Sequence, residues 1–309
     1  MAQEVSIVIP CHDAKYLHGV LRSIQRQTLR PERVVVVDDG ANINSNEYAG
    51  SIVVKNENEM GKVQSIYKGL ESVDTDLVLL LDSDTFLERR CLERLMKHLV
   101  GDIAVTTAEV TPANLDGWIG SCRLKLYDPS LKIIHGCCFL TKKDLLYEIR
   151  LNENSLAEDE EFTDALSGSD YMWLSVKRAR VYTIEPETWS QLIKQQVRWF
   201  YGFFQLEAKR KVWFKTRPYT NLMGFTGLMA PPAFTGAVLI VLGADILFSL
   251  ILISIFYAIA LGATFVLNVI QTMKWLGYGQ REFKYALAQL VSQLSANLRF
   301  LFHRKPKWY

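Results

Sequence analysis

Short β-branched or leucine-rich runs, each ending at an acidic or turn-forming cluster and each followed by a helical stretch, constrain this chain more than any other feature. Residues 5–9 form one such run, ended by Pro10, and residues 16–28 follow with Leu17, Val20, Leu21 and Ile24 at helical spacing. A second run at 33–37 closes on Asp38, Asp39 and Gly40, and a third at 51–54 precedes a helical stretch at 61–72. A fourth, at 77–81, closes on Asp82-Ser83-Asp84. Strand and helix alternating through short connections predict a doubly wound, Rossmann-like, mostly parallel α/β sheet. Such sheets bind ligands beyond the carboxyl ends of their strands, where both acidic clusters fall.

Later segments follow the pattern less tightly. Residues 91–100 read as a helix, 102–110 as a strand, 142–150 as a short helix and 176–184 as a last strand. Between them, 133–141 is apolar around Gly136, and 152–164 is strongly acidic, with Glu158, Asp159, Glu160 and Glu161 in succession. Residues 188–208 read as a helix rich in Trp, Phe and Gln.

Charge then changes abruptly. Lys209, Arg210, Lys211, Lys215 and Arg217 form a basic stretch, after which residues 218–273 carry one charged side chain, Asp245. A membrane-crossing helix needs about 20 apolar residues, so 221–243 and 246–270 predict two passes, the first kinked by Pro231 and Pro232. Basic residues flank both outer ends, which predicts an integral membrane protein with the catalytic domain and the 274–309 tail on the cytoplasmic side. Within that tail, 285–302 fits an amphipathic surface helix better than a third pass, because of Arg299. The start of the sequence runs straight into a strand, without the pattern of a signal peptide. Five cysteines without metal-ligand spacing read as reduced thiols, and a net charge of +2 argues against a nucleic-acid partner.

Four motifs carry chemistry. Asp82-Ser83-Asp84 offers alternate carboxylates at a strand end, an oxygen set suited to Mg²⁺ or Mn²⁺ and thereby to a diphosphate. A carboxylate at Asp38 or Asp39 suits a base or ribose hydroxyl, and equally suits a turn. Within the acidic stretch, Glu158 and Asp159 crowd one another, which raises proton affinity and suits a general base; a solvated helix start is the plainer account. Gln195, Arg198 and Trp199 share one helix face, combining an amide, a phosphate-binding fork and a flat apolar ring. That helix also reads as an aromatic belt before the membrane.

Taken in order, these motifs resemble the membrane-integrated branch of the family 2 GT-A glycosyltransferases, which includes the cellulose, chitin and hyaluronan synthases. The resemblance covers residues 5 to about 205 and implies a GT-A catalytic domain over 1–205. It implies donor-nucleotide contacts from Pro10, Asp38, Asp39, Lys62, Asp82, Ser83, Asp84, Gln195 and Arg198, with the metal on Asp82 and Asp84. It implies Asp159 as the general base, and Trp199, Glu158, Gly136 and Cys137 beside the acceptor. The donor implied is a UDP-sugar, and the acceptor a glycan or a membrane lipid. Departures are Asp13, where the family often has Asn, and Cys137, where Ser or Thr often follows the loop glycine. Polymerising members also carry membrane helices on both sides of the catalytic domain. With two, either the chain forms a homo-oligomer or it transfers sugars without exporting a polymer. A dolichyl- or undecaprenyl-phosphate glycosyltransferase and a non-catalytic scaffold of the same fold are the alternatives.

Overall fold

A computed structural model describes residues 4–48, 50–127, 134–210, 273 and 279–301. The described residues fall into two compact units divided between Thr188 and Trp189. The first holds the sheet. Its strands are β1 (Val5–Cys11), β2 (Val34–Asp38), β3 (Ile52–Lys55), β4 (Leu77–Leu81), β5 (Thr85–Leu87), β6 (Ile103–Pro112), β7 (Cys138–Lys142) and β8 (Met172–Thr183). Its helices are α1 (Leu17–Gln25), α2 (Lys62–Leu70), α3 (Cys91–His98), α4 (Trp118–Leu126), α5 (Lys143–Ile149) and α6 (Glu158–Ser167).

The eight strands lie in the order β3-β2-β1-β4-β7-β6-β8-β5. The first four run parallel, β7 is antiparallel to both of its neighbours, and β6 and β8 run parallel to each other. The sheet is thus mostly parallel, as the alternating pattern predicts. Alternate side chains explain why both faces are apolar. Ile7, Ile9, Val36, Leu79 and Leu81 pack under α1 and α3, while Val8, Val35, Val37, Val78 and Leu80 pack under α2, α5 and α6.

Pro10 does not end the first strand, contrary to the sequence reading; β1 runs on to Cys11. The Ile7 N–H donates to Arg33 O, so the odd-numbered amides face β2 and position 10 faces β4. Pairing with β4 has stopped by then, at Val8 opposite Leu80, so the missing N–H of proline forfeits no ladder bond. Three elements escaped the sequence reading: α4; β5, which is three residues long; and β7, most of which falls in the stretch read only as apolar around Gly136. β8 also starts earlier than its apolar core. It jumps register against β6, from Ala108 opposite Val176 to Glu109 opposite Arg180, with Arg178 at φ 73° inside the jump.

The second unit is described by itself. It contains α7 (Trp189–Arg210) and α8 (Gln280–Leu301), which pack together. The Ser292 hydroxyl, on α8, lies within 2.7 Å of Ala288 O and 3.5 Å of Ile193 O, so it ties the two helices at one point. The helix read over 188–208 therefore belongs with this unit rather than with the sheet. The predicted membrane hairpin at 218–273 lies outside the described residues, apart from position 273. Among the described residues, no helix is long and apolar enough to cross a membrane, α8 included.

Candidate active site

The parallel strands β1, β2 and β4 all end at one edge of the sheet, and Asp39 and Asp82 follow directly. β7 runs the other way, with Cys138 opposite Leu81, so the segment that enters it, Gly136-Cys137, falls at the same edge. The Asp82 N–H donates to Cys137 O at 3.0 Å and locks that juxtaposition. β8 ends there too, since the Ile184 N–H donates to Asp84 O at 3.2 Å.

Asp38 and Asp39 turn inward at this edge. The Asp38 carboxylate accepts the N–H groups of Asn42 and Ile43, and so shapes the turn after β2. Asp39 is fully buried. Its Oδ1 accepts from Asn56 Nδ2 and the Met60 N–H, both at 2.7 Å, and its Oδ2 accepts the Gly61 N–H at 2.9 Å. The backbone carbonyl of Asp39 lies 2.7 Å from His12 Nδ1. Gly61 holds φ +93°, which a side chain would strain, and it launches α2 with Lys62 as the first helical residue. Asp39 thus fixes where Lys62 begins.

Lys62 is the centre of the arrangement. Its Nζ lies 2.7 Å from Asp82 Oδ1, 2.7 Å from Glu158 Oε1 and 3.2 Å from Gly136 O. Its side chain is 13% exposed, that of Glu158 11% and that of Asp82 31%. Burial alone would push the ammonium down; Asp82 and then Glu158 outweigh it and hold Lys62 well above the ordinary lysine value. One buried cation therefore joins the two acidic motifs, 76 positions apart in the chain.

Asp159 is seated by its neighbours. Its Oδ2 accepts the Gly136 N–H at 3.2 Å and its Oδ1 accepts the Glu160 N–H at 2.9 Å. Burial, and then the charge of Glu158, push its carboxyl up to about 7, against a downward pull from Lys62. A Cβ on Gly136 would stand 2.9 Å from Asp159 Oδ2, so only glycine lets the segment lie this close. Asp84 is pushed up to about 7 as well, by burial and then by the like charge of Asp82. It accepts from Thr85 Oγ1 at 3.3 Å. Ser83 Oγ lies 3.4 Å from Asp13 O. Burial and the nearby Asp82 raise the Cys137 thiol well above its ordinary value.

The first unit thus brings together Lys62, Asp82, Glu158, Asp159, Gly136 and Cys137, with Ser83 and Asp84 adjoining. Pro10 is buried within β1. Gln195, Arg198 and Trp199 stand on one face of α7 in the second unit, the first two half-buried and Trp199 37% exposed. Sequence reasoning missed Glu185, which is 2% exposed just after β8. Glu185 lies 3.4 Å from Arg123 Nε, accepts the Tyr127 hydroxyl, and pushes Asp84 up. A lone glutamate after a strand gives no signal of this. Among the described residues, no group of three or more His, Cys, Asp or Glu side chains is arranged to hold a metal ion.

Comparison with known proteins adds the following. Residues 6–150 match the family model Glycosyl transferase family 2. Glycosyltransferase GlyG of Streptococcus pneumoniae serotype 4 is 25% identical over 108 residues, which cover 32% of this chain and 36% of GlyG. The chain thus matches about a third of that relative's length. Mannosyltransferase PcManGT from Pyrobaculum calidifontis, solved in complex with GDP-Man and Mn²⁺, is similar with a TM-score of 0.62 at 16% identity, over 97% of this chain and 88% of that one. S. aureus TarS is similar over 76% of this chain and 50% of its own, at 16% identity and a TM-score of 0.45. The family match thus lies within residues 6–150, a little under half of the chain, and the likeness to PcManGT is one of fold.

Proposed function

We propose that this chain transfers a sugar from a UDP-sugar to a hydroxyl of a glycan or lipid acceptor, with inversion, at the cytoplasmic face of a membrane. One observation carries the reading: a single buried lysine holds a donor-type carboxylate, Asp82, and an acceptor-type carboxylate, Glu158, with Asp159 seated beside them on Gly136. Transfer to a hydroxyl needs both functions within reach of one reacting centre.

The donor side is Asp82 and Asp84. Two like-charged carboxylates, one of them buried enough to titrate near neutrality, form a pair that a cation relieves, and their hard oxygens suit Mg²⁺ or Mn²⁺. Such an ion, when bound, would neutralise charge gathering on the departing diphosphate. Further oxygens for it would come from the diphosphate and water. Lys62 adds a fixed positive charge beside Asp82. Pro10, Asp38 and Asp39 form the floor under the nucleoside, with Asp39 acting through the position of Gly61. Asp159 takes the proton of the attacking hydroxyl, a task suited to a carboxyl near 7. Direct displacement by that oxygen inverts the anomeric carbon. Gly136 and Cys137 line the acceptor side. The membrane placement rests on the apolar stretch at 218–273.

The test is release of nucleotide from panels of UDP- and GDP-sugars by detergent-purified protein, with Mn²⁺ or Mg²⁺ and with EDTA, followed by sizing of the radiolabelled product. Metal-dependent turnover of a UDP-sugar supports the proposal, and product size separates polymer from a single lipid-linked sugar. Turnover of GDP-sugars alone refutes the donor assignment. No turnover of either class refutes the enzyme reading and leaves a scaffold of the same fold.

A further inference from the structure

A second concavity lies away from the residues discussed so far. It has a volume of about 810 Å³ and is walled by α1, the turn after it and β5. Four arginines line it, Arg22, Arg26, Arg30 and Arg89, and no acidic residue does. We propose that this arginine cleft binds a phosphate-bearing ligand at a site separate from the sugar-transfer centre.

The local sequence explains how the arginines converge. Arg22 and Arg26 are four positions apart on α1 and its C-cap, so they share a face. Arg89 comes from the other wall, and the Thr28 N–H donates to its carbonyl at 3.1 Å. Gln27, 4% exposed, rivets the walls together. Its Nε2 donates to Ser23 O and to Glu88 O, and its Oε1 accepts the Leu92 N–H. The walls are thus a built scaffold. A basic residue in the last turn of a helix complements the helix dipole, which accounts for Arg22 but not for Arg30 or Arg89.

Charge decides the ligand. Two neighbouring carboxylates already have partners: Glu88 pairs with Arg94, and Glu93, which reaches the cleft rim through the Thr28 hydroxyl at 2.6 Å, is held by Arg90 at 2.7 Å. Four exposed arginines line one concavity and no carboxylate does, in a chain whose net charge is only +2. That lining favours an anion with several oxygens, and the planar fork of arginine matches phosphate. The cleft exceeds what one phosphate fills, and Phe86 and Leu87 add an apolar wall, so a phosphate ester or a polyphosphate fits better than a lone ion. Its source is either a soluble phosphate compound or an anionic lipid headgroup.

The experiment uses the full chain in a neutral detergent with EDTA present. Tripolyphosphate is titrated calorimetrically, and nanodiscs of phosphatidylglycerol and of phosphatidylcholine are compared in a binding assay. The variant is Arg22→Ala with Arg26→Ala, and the control is Lys177→Ala, an exposed cation outside the cleft. Losing two charged hydrogen-bonding groups should weaken tripolyphosphate binding by about tenfold or more, with the control unchanged. If only phosphatidylglycerol binds and the double variant loses that preference, the site is a headgroup site and the proposal stands. If neither probe distinguishes wild type from the double variant, it is overturned. Unfolding midpoints check the fold. Should the alanine pair unfold early, Arg22→Lys with Arg26→Lys decides, since it keeps charge and length but loses the fork: weaker tripolyphosphate binding supports the site and unchanged binding overturns it.

Discussion

Replacing Lys62 by Met removes the ammonium and keeps most of its bulk, so it isolates the charge. The lysine bridges two carboxylates at 2.7 Å each, and its side chain and that of Glu158 are 13% and 11% exposed. Removing one partner of a buried ion pair costs about 3–5 kcal/mol, because the remaining charge is left uncompensated. Asp82 is 31% exposed, so water recovers part of its share and the lower end, about 3 kcal/mol, is the better figure. For a unit of this size that lowers the thermal midpoint by about 6–12 °C. The pH dependence has a definite sign. Lys62 pulls down both Asp84 and Asp159, so its loss lifts these carboxyls above their present value of about 7. A carboxyl whose folded value exceeds its unfolded one binds more protons in the folded state, so its ionisation costs stability as pH rises. The window runs from the ordinary carboxylate value of 3.8 to beyond 7. The deficit of Lys62→Met should therefore be larger at pH 8 than at pH 5.5. Differential scanning fluorimetry on tryptophan emission, at both pH values, measures it. A midpoint within 2 °C of wild type at pH 8 would falsify the account (roughly 0.5–1 kcal/mol by the same conversion). Equal deficits at both pH values would show that packing rather than charge is lost.

Three further outcomes concern catalysis. Asp159→Asn should lower the transfer rate by about 10²–10⁴ while donor affinity holds, read as kcat against KM; a surviving rate would dismiss Asp159 as the base. With metal saturating, kcat should rise with pH through about 7, because Asp159 must be ionised to accept a proton; an acid limb near 4 would contradict its buried setting. Gly136→Ala places a methyl group 2.9 Å from Asp159 Oδ2, and displacing the base should cost about 10² in kcat, while an unaltered rate would mean the segment yields freely.

The sequence was most legible where one element settles its own structure. The runs of β1, β2 and β4 are apolar on both faces, which only a strand buried on two sides requires, and the acidic residues after β2 and β4 pointed to the edge at which the candidate site lies. β5 was hidden because a run of three residues carries no periodicity. α4 was hidden because its apolar side chains, among them Trp118, Ile119, Cys122 and Leu124, do not keep to one face. Long-range pairing was hidden for a different reason. Lys62 could be read as a phosphate-facing residue, but its bridge to Glu158 depends on β7 entering between β4 and β6, and nothing local encodes that. The same holds for Asp39, whose oxygens are taken up by the chain at positions 56, 60 and 61. Its acidity reads as a ligand contact, whereas its geometry is that of a bracket for the start of α2.

The register jump in β8 reaches beyond the site. A sheet grows when another chain lays a strand along an unpaired edge, and long flat edges invite this. Among the described residues the sheet ends on β3, of four residues, and on β5, of three. β5 pairs only with Val181–Thr183, past the jump where Arg178 turns left-handed and the strand twists. An incoming strand on that side would find the three residues of β5 and then the bend at Arg178, which sets the earlier part of β8 on a different line. No straight ladder longer than a few residues is offered across that bend.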